Sequence, residues 1–480
     1  MIGLLWLAGT LVFFLSLSPL TVDVVSAQHV CDVTANGAVG DNTTLNTAAI
    51  QKTIDECPEG GTVLVPAGAF RTASIRLKSH IQLHLAAGAG LYGSTDPRDY
   101  AVSFQWFGGH QAYNFDALIF AANVTNVSVT GENDGIGPEG SVSIVDGVGW
   151  RWWCQADCIP LKRDGLSRLW CDALNPDNSS LPKNLLPAPQ GQGRPRLIDF
   201  YNATDVTLFG FTAQNSPHWT IHLQYSKRLV VRNMTVLSPR SVGNTDGIDP
   251  DSCEDVLIED SYVSVGDDGI SIKSDNITYD GSTHPVMVPT RNVTMRRLFI
   301  RSRNWCIGSS TFGGVYDILF EDSEIGDPYS EASPVPWAIK FKSHEYFPGP
   351  IENVTIRRIH IGTVGPTPWE YPSPPTKKFS AFLLGLSYGG KAPANPSGVP
   401  LARNITFEDI RIESTDRPGG IQGLAESCFE GLTLRNVTFG HARVPEWSCT
   451  NVQQSTFVTE NVEPPIGQCI NCTTCAGAAR

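Results

Sequence analysis

The sequence predicts an all-β solenoid, a parallel β-helix, and three observations predict it. An eight-residue phrase recurs: "VTLFGFTA" from Val206, "LVVRNMTV" from Leu229, "VLIEDSYV" from Val256, "VTMRRLFI" from Val293, "ILFEDSEI" from Ile318, "VTIRRIHI" from Val354, "ITFEDIRI" from Ile405 and "LTLRNVTF" from Leu432. Its first and third positions are apolar, as in a strand; a polar pair marks a bend; the apolar eighth position, mostly with the sixth, begins a second short strand. The phrases start roughly 23 to 51 residues apart, which is one coil each, with loops inserted in the longer coils. The turns differ from coil to coil, whereas a sandwich or propeller needs regular antiparallel hairpins with short Asn-Gly or Asp-Gly turns.

The elements follow in order. Residues 1–27 read as a signal peptide: a long apolar run ends near Pro19, and Val25-Ser26-Ala27 offers small residues for cleavage, although no Lys or Arg precedes the run. No later segment is apolar enough to span a bilayer, so no membrane association is expected after cleavage. Residues 28–450 are expected to form the β-helix. Within them, 41–57 read as a helix with Ala48, Ile50 and Ile54 on its apolar face and Thr44 or Asn46 as cap, closing the N-terminal end of the solenoid. Residues 150–196 form a large insertion with four tryptophans and three cysteines. It reads as a disulfide-stapled loop, either a surface excursion or a cleft wall whose tryptophans stack on sugar faces. Residues 451–480 are a Cys-rich tail, in which Cys469, Cys472 and Cys475 read as disulfide partners rather than half a zinc site. The 12 cysteines suit an oxidising compartment. Asn-X-Ser/Thr sequons such as Asn233, Asn292, Asn353, Asn404 and Asn436 fall inside or beside the repeated phrase, so the repeat explains their number.

Charge narrows the partners. A formal net charge of −13 argues against nucleic acid. A polyanionic substrate stays possible where a local basic cluster outweighs the global field. The stretch "VGNTDGIDPDSCEDVLIEDSYVSVGDDGISIKSD" gathers Asp246, Asp249, Asp251, Asp267 and Asp268 among glycines. Asp246 and the Asp267–Asp268 pair lie about one short coil apart, so stacking brings them together, and the glycines flanking the pair permit a bend that aims both carboxylates at one cleft. Spacing alone leaves three readings open: calcium ligation, acid/base hydrolysis of a glycoside, or a structural acidic turn. Crowding suits hydrolysis, because a like charge lets one Asp stay protonated while its neighbours are ionised. Asp249, Asp251, Glu254 and Asp255 read as turn and surface residues. His222 sits in a strand, as a substrate contact or a hydrogen-bonded structural group; Trp219 reads as core or platform; Cys253 and Cys306 read as a disulfide across coils or as buried thiols.

"NTDGIDPDSC" followed by "GDDGISIKS" resembles the signature of the polygalacturonases, glycoside hydrolase family 28. "NTAAIQKTIDEC", "GGTVLVPAGAFRTASIRLKSHIQLHLAAGAGL", "RPRLIDF" and "QNSPHWTIHL" resemble other parts of that family, so the likeness runs over roughly residues 30 to 440. It implies a right-handed parallel β-helix and a secreted, monomeric, inverting hydrolase of pectic polysaccharide that needs no metal or cofactor. It implies Asp267 as general acid, Asp246 and Asp268 as holders of the attacking water, and Asn244 as the residue that orients them. Two departures stand out. "SRNWCIGSS" places Arg303 where the family has histidine, and "AIKFKS" gives Lys340 and Lys342 where the family has Arg-Ile-Lys. Arg303 holds a carboxylate or hydroxyl but cannot relay protons near neutral pH, and lysine keeps positive charge without the bidentate fork. Lys340 and Lys342 are expected on one face of a strand with Phe341 on the other. These departures keep two alternatives open: another pectic polymer such as rhamnogalacturonan, or a glycan-binding β-helix with weak catalysis.

Overall fold

The computed structural model describes residues 29–107, 110–155, 193–278, 285–330, 334–367, 379–389 and 398–471. The segment expected to be a signal peptide, most of the 150–196 insertion, and Cys472 and Cys475 lie outside them. Thirty-one of the described strands join into one parallel ladder, a right-handed β-helix, while Val102–Phe107 with His110–Phe115 and Asn276–Thr278 with Pro285–Met287 form two separate antiparallel pairs. Each residue of a coil stands above its equivalent about 4.8 Å away. Val256 pairs with Val293, Val293 with Ile318, Ile318 with Val354, Val354 with Ile405 and Ile405 with Leu432, all in register with the repeated phrase. These first-position residues, with the third-position Ile258, Met295, Phe320, Ile356, Phe407 and Leu434, fill the interior.

The bends obey a local rule. The second residue of each polar pair (Asn233, Asp260, Arg297, Asp322, Arg358, Asp409, Asn436) has φ between 49° and 55°. A second left-handed position precedes the phrase at Asp205, Arg228, Asp255, Asn292, Asp317, Asn353 and Asn404. Asn and Asp tolerate this region best among residues with a side chain, which explains why sequon asparagines track the repeat. The first residues of the pairs form a column of alternating charge: Arg232, Glu259, Arg296, Glu321, Arg357, Glu408, Arg435 and Glu460, each in register with the next. Arg296 Nε donates to Glu259 at 2.8 Å and Arg357 Nε to Glu321 at 2.8 Å.

The N-terminal helix is shorter than expected. Asp41–Leu45 is a strand paired with Gly68–Thr72, and the helix runs Thr47–Glu56. Ile50 and Ile54 are fully buried as expected, but Ala48 is exposed and Ala49 packs on the core. Asn46 is the N-cap, yet its side chain accepts from Val39 N–H at 2.7 Å rather than capping the helix, so it ties the preceding loop. A disulfide joins Cys31 to Cys57 and another Cys449 to Cys469. Cys253 and Cys306 are buried free thiols rather than a bridge. In the insertion, Trp150–Gln155 is a short helix with Trp152 and Trp153 buried, so those two rings are packing groups and not sugar platforms.

Phe320 is fully buried and its ring stacks on Trp305 at 5.1 Å and 7°. Phe320→Ala is expected to destabilise the fold by about 3–5 kcal/mol, read as a lowered midpoint in chemical denaturation.

Candidate active site

Four consecutive strands of one sheet carry the candidate residues: Ile248–Asp251, Ile270–Ser274, Trp305–Thr311 and Trp337–Lys342. Ile248 pairs with Ile270, Ile270 with Trp305 and Trp305 with Ile339. Those residues point into the core, so alternation turns Asp249, Asp251, Ser271, Lys273, Cys306, Lys340 and Lys342 to the opposite face. The turns entering the first two strands hold the three acids. Gly247 N–H donates to Asp268 O at 2.9 Å and Arg303 N–H to Asp267 O at 3.2 Å, which sets Asp246, the Asp267–Asp268 pair and Arg303 on three successive rungs. The backbone there is tightly packed: a Cβ on Gly266 would lie 2.0 Å from Val242 O, and one on Gly269 2.6 Å from Ile300 Cγ2. The glycines beside the pair serve close approach.

Asp267 keeps a fifth of its side chain open to solvent; its Oδ2 accepts the Asn244 backbone N–H at 2.8 Å and lies 3.9 Å from Arg303 Nη1. Asp268 is buried. Its Oδ2 is bonded by the Lys342 ammonium and its Oδ1 accepts from Asn304 Nδ2 at 3.1 Å. Burial alone would raise its pKa, but Lys342, Lys273 and Lys340 outweigh burial and hold it far below the ordinary carboxylate range. Crowding raises the proton affinity of Asp246. Burial first, then Asp249, push that carboxyl well above the ordinary range, against the pull of Lys273 at 3.4 Å.

Asp249 and Asp251 are not turn or surface residues: both are fully buried, on the outward side of the strand but beneath the cleft. The alternation of "IDPD" with Ile248 inward was the available signal, obscured by the proline. Burial pushes Asp249 up to about 6 against Lys273 and His222. Glu254 and Asp255 do face the solvent side, Glu254 pairing with Arg291. His222 is fully buried between Asp199 (Nδ1 to Oδ1, 2.8 Å) and Asp251 (Nε2 to Oδ2, 3.5 Å). Burial and Arg196 press its pKa down, and the two acids more than restore it. Trp219 lies buried among charge rather than in the apolar interior, 5.1 Å from His222, with Lys273 Nζ 4.7 Å from its ring centre. Lys340 and Lys342 share one face and Phe341 fills the core, as the alternation requires. Lys340 Nζ sits 4.3 Å from the Trp337 ring centre and 5.3 Å from that of Tyr388. Sequence reasoning missed Asn304, Lys273, Trp337 and Tyr388. Strand parity within "ISIKS" and "WAIKFK" gave a signal for Lys273 alone among these, since Tyr388 approaches from a following loop.

A parallel β-helix with carboxylates and lysines gathered on one face has the architecture and chemistry of a polysaccharide-processing enzyme. Residues 183–285 match the model of glycosyl hydrolases family 28. The chain is 29% identical over 443 residues to a probable polygalacturonase of Vitis vinifera, covering 88% of this chain and 78% of that protein. It is 25% identical over 489 residues to an exo-poly-alpha-D-galacturonosidase of Dickeya chrysanthemi, covering 92% and 77%. The exopolygalacturonase of Thermotoga maritima shares its fold, with a TM-score of 0.67 over 91% of this chain and 92% of that one at 22% identity. The chain is thus similar to members of glycoside hydrolase family 28, and the segment matched by the family model holds Asp246, Asp267 and Asp268.

Buried acids with raised proton affinity are expected to make stability fall as pH rises above about 4. Asp249 is raised to about 6 and Asp275 to about 7, both first by burial, and Asp246 rises as well. A carboxyl with a folded pKa above its unfolded value of about 3.9 binds more protons folded than unfolded. Its stabilisation is therefore lost between about pH 4 and 7, and a melting curve is expected to show a lower midpoint at pH 7.5 than at pH 5. Asp275→Asn is expected to flatten that dependence.

Proposed function

We propose that the protein hydrolyses α-1,4-galacturonosidic bonds of pectin with inversion, in one displacement by water. The observation that carries this reading is the placing of Asp246, Asp267 and Asp268 on adjacent rungs beside the Lys340–Lys342 face. In this mechanism Asp267, the most open of the three, gives its proton to the leaving glycosidic oxygen. Asp246 and Asp268 hold a water that attacks the anomeric carbon from the opposite face, and Asp246 takes its proton. Burial and Asp249 raise the proton affinity of Asp246, which strengthens it as a base. Asn244 orients Asp267 through its backbone N–H. Lys340 receives the uronate carboxylate, while Lys342 is committed to Asp268. Arg303 holds a substrate carboxylate or hydroxyl beside Asp267. The catalytic unit needs no metal or cofactor.

The names of the relatives, polygalacturonase and exo-poly-alpha-D-galacturonosidase, support a pectic substrate. The N-terminal apolar run and the disulfides support secretion. The Lys340 and Arg303 departures make substrate choice the point to test. On polygalacturonate, Asp267→Asn is expected to lower kcat by about 10²–10⁴-fold with an unchanged melting curve. Undiminished sugar release by that variant would reject the acid. Cleavage of rhamnogalacturonan with none of polygalacturonate would reject the substrate, and binding without turnover at any pH from about 4 to 7 would reject hydrolysis.

A further inference from the structure

We propose that Lys273 is a positioning residue for Asp246, shared with Asp249 so that two buried carboxylates compete for one ammonium. The proposal rests on the hydrolytic reading above, in which Asp246 is the base. Lys273 lies on the strand face directly above Asp251, its Nζ 3.4 Å from Asp246 Oδ2, 3.6 Å from Asp249 Oδ2 and 2.9 Å from Ser271 Oγ. The Trp219 ring closes its remaining side at 4.7 Å. All three charged side chains are at least nineteen-twentieths buried. Neither carboxyl oxygen of Asp249 has a hydrogen-bond partner. A buried carboxylate without hydrogen bonds is costly, and packing does not explain it: the neighbouring position on the same strand, Asp251, is well bonded to Gln224, Ser252 and the Asp275 N–H. The one cation within 4 Å of Asp249 among the described residues is Lys273.

Other groups surround this trio from every packed element. Below lie His222, in register with Asp249, with Asp199, His218, Arg194 and Arg196 behind it. Just past the strand of Lys273 is Asp275, whose N–H donates to Asp251, and Asp251 stands in register with Lys273 from the rung below. Asp267 and Asp268 enter the rung of Lys273 itself, and above lie Cys306, Lys340 and Lys342. Lys342 is engaged by Asp268, so Lys273 is the ammonium left to Asp246. Its charge favours the ionised base, and Asp249 weakens that effect by drawing on the same ammonium.

Two substitutions should therefore move the pH profile in opposite directions. The acid limb of kcat/KM reports the base of the free enzyme. In the full-length protein assayed on a defined oligogalacturonate, Lys273→Met is expected to move that limb to higher pH, by at least about one unit, a tenfold change in proton affinity. Lys273→Arg should restore most of it. Asp249→Asn is expected to move the limb to lower pH, since Lys273 is then left to Asp246. A purely structural role would lower kcat in each variant without opposed shifts. Unmoved limbs, or shifts in one direction, in variants with wild-type melting curves overturn the proposal. Should Lys273→Met not fold, Asp249→Asn decides: a downward shift upholds the proposal and an unmoved limb rejects it. Should Asp249→Asn also not fold, Lys273→Arg decides by keeping or losing the wild-type limb. Asp246→Asn separates the two levels. If that variant remains active, the base assignment fails; if it is inactive while the Lys273 and Asp249 variants keep the wild-type limb, the positioning role alone fails.

Discussion

Stacking in register is the constraint on which everything else here depends. Parallel pairing repeats each position about 4.8 Å higher on the next coil, so whatever a side chain is, it must live with its equivalents. In the interior this is simple, and columns of Val, Ile, Leu and Phe pack like on like. On the outer face of the sheet carrying the site, it forces Asp246 and Asp249 onto a rung next to Asp267, Asp268 and Lys273. Proximity of the acids is thus a product of the fold, and the sequence has only to leave acidic residues at equivalent places.

What stacking concentrates, neighbouring lysines balance. Lys342 takes Asp268 and Lys273 takes Asp246 and Asp249, so that one acid is held strongly ionised and another is left with a high affinity for a proton. Two carboxyls of the same type, one rung apart, differ in proton affinity because three ammoniums act on Asp268, whereas burial and Asp249 outweigh Lys273 at Asp246. A rung lower, His222 bridges Asp199 and Asp251 in the same way. The cleft floor is therefore a lattice of alternating charge, and replacing any member changes the proton affinity of its neighbours.

The features legible in sequence were those governed by periodicity. The phrase beginning at Val256 or Val354 shows two strands and the bend between them, and the bend residues are the ones with left-handed φ. The coil spacing between Asp246 and Asp268 predicts their stacking, and the parity of Lys340, Phe341 and Lys342 predicts which face each occupies. Where a local cue competed with the period, the reading failed. Pro250 made "IDPD" look like a turn, although Pro250 is a buried residue of the strand. "DNTTLN" looked helical because the apolar pattern after it is, yet its first residues pair with Gly68–Thr72. Tyr388 and Asn304 were invisible for a different reason: they reach the site from loops whose lengths vary between coils, and no period carries them there.

The column from Arg232 to Glu460 alternates in sign at every coil. A pair with an open arginine contributes little by itself, but like charges opposite one another are unfavourable. The column therefore acts as a parity check on the number of coils. Loss or duplication of one coil within this region would set arginine against arginine or glutamate against glutamate at the junction, while loss or duplication of two would preserve the alternation. A solenoid built this way lengthens most readily by an even number of coils, so the natural unit of its growth is a pair carrying one acid and one base.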